Sequence, residues 1–220
     1  EKKNYIFSLK NQKKITYDEL YFNAIKKFSF LSTYKQKKIL VVVNNSIDYV
    51  EILIASVLSG NIFCPIPYFT FIREIEKTCD YLKPKFIISD KNLNLKNNLK
   101  SKLININCIK KSQKIFKSNL VKNKDLACIY YSSGTTSDPK GVMYSHANIF
   151  YLINSINKDF RFSRNTKHLV CLPFGHTASI NYSIFPSLFL KSSFYIAENF
   201  LEISSNFFSI IDRYKITYVQ

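Results

Sequence analysis

Residues Tyr131–Gly141 read YSSGTTSDPKG, between an apolar run, Leu126–Tyr130 (LACIY), and a strand-like piece, Val142–Ser145 (VMYS). Ser132, Ser133, Thr135, Thr136 and Ser137 crowd around Gly134, and Lys140 and Gly141 close the stretch. The whole chain has only 4 glycines, and two of them, Gly134 and Gly141, are here. Glycine permits left-handed backbone and close approach to another group. Backbone N–H groups in such a turn form a nest for an anion, and hydroxyls add donors that rotate to suit it. Lys140 adds a positive charge suited to a polyphosphate, with Pro139 fixing the backbone before it. The plainer reading is a polar hairpin loop, which Ser, Thr, Gly, Asp and Pro also make, with Asp138 as a turn residue. A Walker A loop is excluded, because that motif puts Gly-Lys-Ser/Thr at the start of a helix. Here Lys140 precedes Gly141 and the chain continues extended.

The stretch SSGTTSDPKG resembles the phosphate loop of the AMP-forming adenylate synthetases. That superfamily includes acyl- and aryl-CoA synthetases, peptide-synthetase adenylation domains and luciferases. Its loop usually reads Thr/Ser-Ser-Gly-Thr-Thr-Gly-x-Pro-Lys-Gly, and every position fits except Ser137, where the family has Gly. Weaker likenesses follow in the family's order: ITYDEL at residues 15–20, SIDYVEILIASVLSGNIFCPIP at 46–67, LPFGHT at 172–177 and RYKIT at 213–217.

The resemblance implies ATP and Mg2+ as cofactors, a small carboxylic acid as substrate, and coenzyme A or a phosphopantetheine thiol as acyl acceptor. An acyl-carrier protein is then a possible partner. It implies that Ser132, Ser133, Gly134, Thr135, Thr136, Lys140 and Gly141 bind the nucleotide, with Lys140 catalytic. It also places His176, in its Pro-x-x-His setting, near the acyl pocket, and that setting favours a fatty or aryl acid over an amino acid. Taken alone, a single histidine in a turn is more often satisfied by a backbone carbonyl. His146 and His168 have only structural readings, at a helix start and a strand start. The family's later nucleotide and magnesium motifs lack counterparts, so the expectation is the N-terminal part of a longer ligase, inactive alone. The alternative is a non-catalytic nucleotide- or carrier-binding module of the same fold.

Element patterns give an α/β architecture. Thr16 and Glu19 form a capping box opening a helix. Ile39–Val43 (ILVVV) has the continuous β-branched character of a strand buried on both faces. Ser46 caps a helix to Leu58, and Gly60 supplies its stop. A strand at 62–66, a helix capped by Thr70 and a strand at 86–89 continue the alternation, which predicts parallel sheets flanked by helices. Beyond the loop, helices are expected from Ser145 to Lys158, over 178–190 despite Pro186, and over 201–214. Strands are expected at 168–172, 193–197 and 216–219. The domains are expected as 1–120, a first α/β subdomain, and 121–220, a second carrying the phosphate loop.

The chain's 220 residues carry a net charge of +17. Only four of its 32 basic residues are arginine (Arg73, Arg161, Arg164 and Arg213). Base and phosphate recognition usually draws on arginine forks, and no nucleic-acid motif is present, so no specific nucleic-acid partner is expected. The five cysteines lack metal or disulfide spacing. No apolar run reaches membrane-spanning length, and a cytoplasmic location is the expectation.

Overall fold

The computed structural model describes residues 4–110, 112, 121–132 and 140–220. Two short strands begin the chain, β1 (Tyr5–Ser8) and β2 (Lys14–Thr16). Helix α1 (Tyr17–Lys27) opens on the expected box: Glu19 N–H donates to the Thr16 hydroxyl at 3.2 Å, and Thr16 N–H donates to the Glu19 carboxylate at 2.7 Å. Strand β3 (Lys38–Val42) leads to α2 (Ile47–Leu58), capped by the Ser46 hydroxyl. Gly60 then turns the chain at φ 69°, a region L side chains rarely enter. Next come β4 (Ile62–Pro65), α3 (Ile72–Leu82), β5 (Phe86–Ser89), the single turn α4 (Asn97–Lys100) and β6 (Leu103–Asn105). Strands β7 (Leu126–Ser132) and β8 (Lys140–Ser145) precede α5 (His146–Asp159), whose N-terminus Ser145 caps as expected.

After β9 (Lys167–Val170) the chain makes a short α6 (Thr177–Ser179), a π-helical turn over Ile180–Ile184, and α7 (Phe185–Leu190). It ends with β10 (Ser193–Ile196), α8 (Phe200–Ile203), α9 (Phe207–Tyr214) and β11 (Tyr218–Val219). Three expectations change in detail. Helix α3 is entered one residue later than expected, from Phe71, whose N–H donates to Glu74, while Thr70 N–H closes a turn onto the Pro67 carbonyl. The single helix over 178–190 is divided by the π turn before Pro186. A 3-10 turn at Ser204–Asn206 splits the helix expected over 201–214.

The strands form two mixed sheets, ordered β6-β5-β3-β4-β7-β8 and β11-β9-β10-β1-β2. All pairings are parallel except the two edge pairs, β7–β8 and β1–β2. The sheets do not divide the chain at 120. Strands β1 and β2 pair into the sheet of β9–β11, while β7 and β8 extend the sheet of β3–β6. The cause is that β1 finds its partner far along the chain, with Ile6 opposite Phe194 and Phe7 opposite Tyr195.

Strand alternation divides the core. Leu40 and Val42 face Ile75, Cys79 and Leu82 of α3 in one cluster. Ile39, Val41 and Val43 face the opposite way, into a core shared by α1, α2 and α5 and the inner face of the second sheet (Ile6, Val170, Phe194, Ile196). On the far side of that sheet, Phe7, Leu169 and Tyr195 pack with Ile203 and Ile210. The order is therefore helix, sheet, helices, sheet, helices. The sequence reads β3 as a continuous apolar run because both faces are covered.

Candidate functional site

The phosphate-loop stretch is carried on a hairpin. Strand β7 runs through the core, with Ala127 and Cys128 fully buried, and reaches the carboxyl end of the six-stranded sheet. Strand β8 returns antiparallel with Tyr130 opposite Val142, Tyr131 opposite Gly141 and Ser132 opposite Lys140. Ser133, Gly134, Thr135 and Thr136 lie outside the described residues. Gly141 is a close-approach position: a Cβ there would sit 3.0 Å from Ile129 Cγ2 and 3.4 Å from the Tyr131 ring. Lys140 is exposed and has no carboxylate partner among the described residues. Its ammonium is therefore hydrated and available to an incoming anion.

The second sequence-predicted position, His176, belongs to the other sheet. It follows β9 in the turn Pro173–His176, is exposed, and donates its N–H to the Pro173 carbonyl at 3.1 Å. Its ring lies 6.2 Å from that of Phe69, which is itself largely exposed. Gly175 lets this turn lie directly on the segment after β4: a Cβ at 175 would come within 2.3 Å of Ile66 C and Pro67 N.

Two buried residues that sequence reasoning missed hold this turn. Asn45 donates to the Leu172 carbonyl (2.9 Å) and the Ala197 carbonyl (3.1 Å), and accepts from Phe174 N–H (2.7 Å). The Tyr49 hydroxyl donates to the Phe174 carbonyl at 2.7 Å. One asparagine thus joins the carboxyl ends of β3, β9 and β10. Its only sequence signal was its place directly before the helix cap Ser46. Inside the hairpin, Tyr130 is also buried, with its hydroxyl 3.4 Å from Asn181 Oδ1 in the π turn. Burial pushes the phenols of Tyr49 and Tyr130 well above their ordinary range, so both act as neutral donors.

Further polar groups gather at the same carboxyl ends. Asn44 N–H donates to the Asp90 carboxylate at 3.1 Å, and Asn44 Nδ2 reaches Glu198 at 3.3 Å. Lys10 pairs with Glu198, and Lys91 donates to the Tyr68 carbonyl. Desolvation raises the Asp90 carboxyl above its usual range. Loops after the strands of both sheets therefore form one rim, the position where open α/β sheets place their ligands. Among the described residues, no group of three or more His, Cys, Asp or Glu could hold a metal ion. All five cysteines are free.

A two-sheet α/β domain with helices between and outside its sheets is the architecture this chain shares with solved adenylate-forming enzymes. The AMP-binding enzyme family model matches residues 1–220, and the chain belongs to that family. The D-alanine--D-alanyl carrier protein ligase of Listeria monocytogenes is 30% identical over 165 residues, covering 72% of this chain and 32% of the relative. The probable CoA ligase CCL8 of Humulus lupulus is 32% identical over 73 residues, or 33% of this chain and 12% of its own length. Among solved structures, the o-succinylbenzoate CoA synthetase MenE of Bacillus subtilis, in complex with its acyl-adenylate intermediate, superposes with a TM-score of 0.85 at 17% identity. That match covers 99% of this chain and 45% of MenE. MatB of Rhodopseudomonas palustris gives 0.80 at 20% identity, covering 99% and 46%. These likenesses carry the fold. The chain spans about a third or less of the curated relatives and under half of these two solved chains.

Proposed function

We propose that this chain is the N-terminal part of an ATP-dependent ligase that activates a carboxylic acid as its acyl-adenylate and then transfers the acyl group to a thiol. The observation that carries the reading is the β7–β8 hairpin. It sets Lys140 opposite Ser132 at the carboxyl end of a parallel array, flanking a loop rich in hydroxyl and N–H donors. A cation with no described acidic partner suits phosphate chemically.

In the adenylation step the substrate carboxylate oxygen forms a bond to the α-phosphorus of ATP, and the bond to the bridging oxygen of pyrophosphate breaks. Ser132 to Thr136 and Gly141 hold phosphate oxygens, and Lys140 offsets the charge that grows on the leaving pyrophosphate. Bound Mg2+ would supply further neutralisation of phosphate charge, though among the described residues no group of three or more His, Cys, Asp or Glu would hold it. His176, beside Phe69, borders the acid. A fatty or aryl acid is the favoured substrate, and the acceptor is coenzyme A or a carrier-bound phosphopantetheine. The relatives named as CoA and carrier-protein ligases support both acceptors.

The test is ATP–pyrophosphate exchange by the natural-length polypeptide with fatty, aryl and amino acids. Exchange is expected with one acid class, and none from residues 1–220 alone. Lys140→Ala is expected to slow exchange by on the order of 10²-fold, the scale of losing one preorganised electrostatic donor. A loss of only a few-fold would remove Lys140 from its role. ATP binding without exchange would favour a non-catalytic module.

A further inference from the structure

The opposite end of the six-stranded sheet, where its parallel strands begin, carries a second concave site. It is a recess of about 660 Å³ lined by nine residues, five of which are lysines: Lys37, Lys38, Lys83, Lys85 and Lys102. Lysine is abundant in this chain, so the number alone decides little. The arrangement decides more.

The lysines come from three separate segments that the sheet draws together. Lys38 begins β3, Lys85 directly precedes β5, and Lys102 directly precedes β6. These three strands are neighbours in the order β6-β5-β3. Backbone bonds fix the starts side by side: Lys85 N–H donates to the Lys38 carbonyl at 2.8 Å, and Ile87 N–H to the Lys102 carbonyl at 2.9 Å. Adjacent strands lie about 4.8 Å apart, so cations are held on neighbouring strand starts, where like charges repel.

No carboxylate lines the recess, and none of the five lysines has an ion pair among the described residues. Helix C-terminal carbonyls attract cations, which accounts for Lys83 at the left-handed C-cap of α3. Lys85 Nζ lies over the Tyr34 ring, 5.1 Å from its centroid, but neither effect accounts for Lys38 and Lys102 at the other two strand starts. The wall is also fixed: Gln36 sits at φ 53° with its amide donating to the Gly60 and Leu126 carbonyls, both at 3.1 Å.

We infer that this recess is a binding site for a compact, multiply charged anion of the polyphosphate class. Such a ligand supplies the negative charge that the protein omits and bridges the three strand starts. Phe86 and Pro84 are the only apolar lining residues, too few to enclose a nucleobase or an acyl chain. The site lies at the opposite end of the sheet from Ser132 and Lys140, so it stands or falls separately from the proposed ligase.

The probe is inorganic tripolyphosphate, titrated calorimetrically into the chain carrying Lys140→Ala, so that the phosphate loop contributes least. Saturable binding is expected, weakening with added salt. Lys38→Gln with Lys102→Gln should weaken it about 10-fold, each lost charge contributing about threefold, within the range of an exposed pair. The same double variant, without ligand, should melt at a higher temperature than its parent, because repulsion is relieved. No saturable binding would overturn the site, as would binding that the double variant leaves unchanged. A lower melting temperature for that variant, meaning that the lysines serve the fold itself, would overturn it too.

Discussion

At the scale of single residues, His168 shows how burial sets chemistry without making a functional site. Its side chain is fully buried in β9, its ring centroid 4.7 Å from that of Phe162 and 5.3 Å from that of Tyr218. Among the described residues, neither ring nitrogen has a hydrogen-bond partner. Burial pushes its pKa down to about 4, so it stays neutral in the folded chain where an unfolded histidine already titrates. Between pH ~6.5 and ~4 the unfolded state therefore binds more protons. Stability falls as pH drops through that window and levels off below it, by roughly 3 kcal/mol for this group. Urea unfolding at pH 7.5, 6 and 5 should show the decline, and His168→Leu should flatten it. An unchanged slope in His168→Leu would assign the decline to other groups. Asn45 is the complementary case, a buried polar side chain whose donors and acceptor are used by Leu172, Ala197 and Phe174. Burial of a polar group is tolerated where its partners are supplied.

Among the elements, local chemistry was legible wherever the deciding partner lay within a few residues. The Thr16–Glu19 box, the Ser46 and Ser145 caps and the stop at Gly60 follow from side chains that reach their own helix ends. Strand β3 was legible because a both-sided core leaves a continuous apolar run. Strands β1 and β2 were not, because YIFS and KIT are short and their sheet partners sit at the far end of the sequence. Likewise, the family was readable from the SSGTTSDPKG motif, whereas the Asn45 and Tyr49 clamp on the His176 turn depended on contacts across the two sheets. Gly175 belongs to the same class. Its role is invisible in the sequence yet explicit in space, since the turn touches the Ile66–Pro67 backbone. Gly175→Ala must push that backbone away, and overpacking of this kind costs about 1–3 kcal/mol. A lower urea midpoint is expected, along with altered hydrogen exchange at His176 and Phe69. An unchanged midpoint would mean that the turn withdraws freely, and that it does not fix His176.

For the whole molecule, the crossing of the chain between sheets has a consequence for how it folds. Strand β1 lies inside the second sheet, between β10 and β2, although more than 180 residues separate Ile6 from Phe194. Strands β7 and β8 complete the first sheet although they follow the expected division at 120. A piece comprising residues 1–120 therefore keeps β3–β6 but exposes the edge of β4, and its β1–β2 hairpin has no sheet to join. A piece comprising 121–220 keeps β9–β11 with β10 as an open edge, and its β7–β8 hairpin is stranded. Isolated hairpins are marginal in water, and open edges invite aggregation. Both pieces are expected to be unfolded or aggregated, judged by near-ultraviolet circular dichroism and amide dispersion, while residues 1–220 unfold in one cooperative transition. Native-like dispersion from either piece alone would show that a single sheet with its helices is self-sufficient. The central helical layer would then be a docking interface and not a shared core. The side chains argue for the shared core, because Ile6, Val41, Ile52, Ile153 and Phe194 belong to one contiguous buried cluster drawn from both halves of the chain.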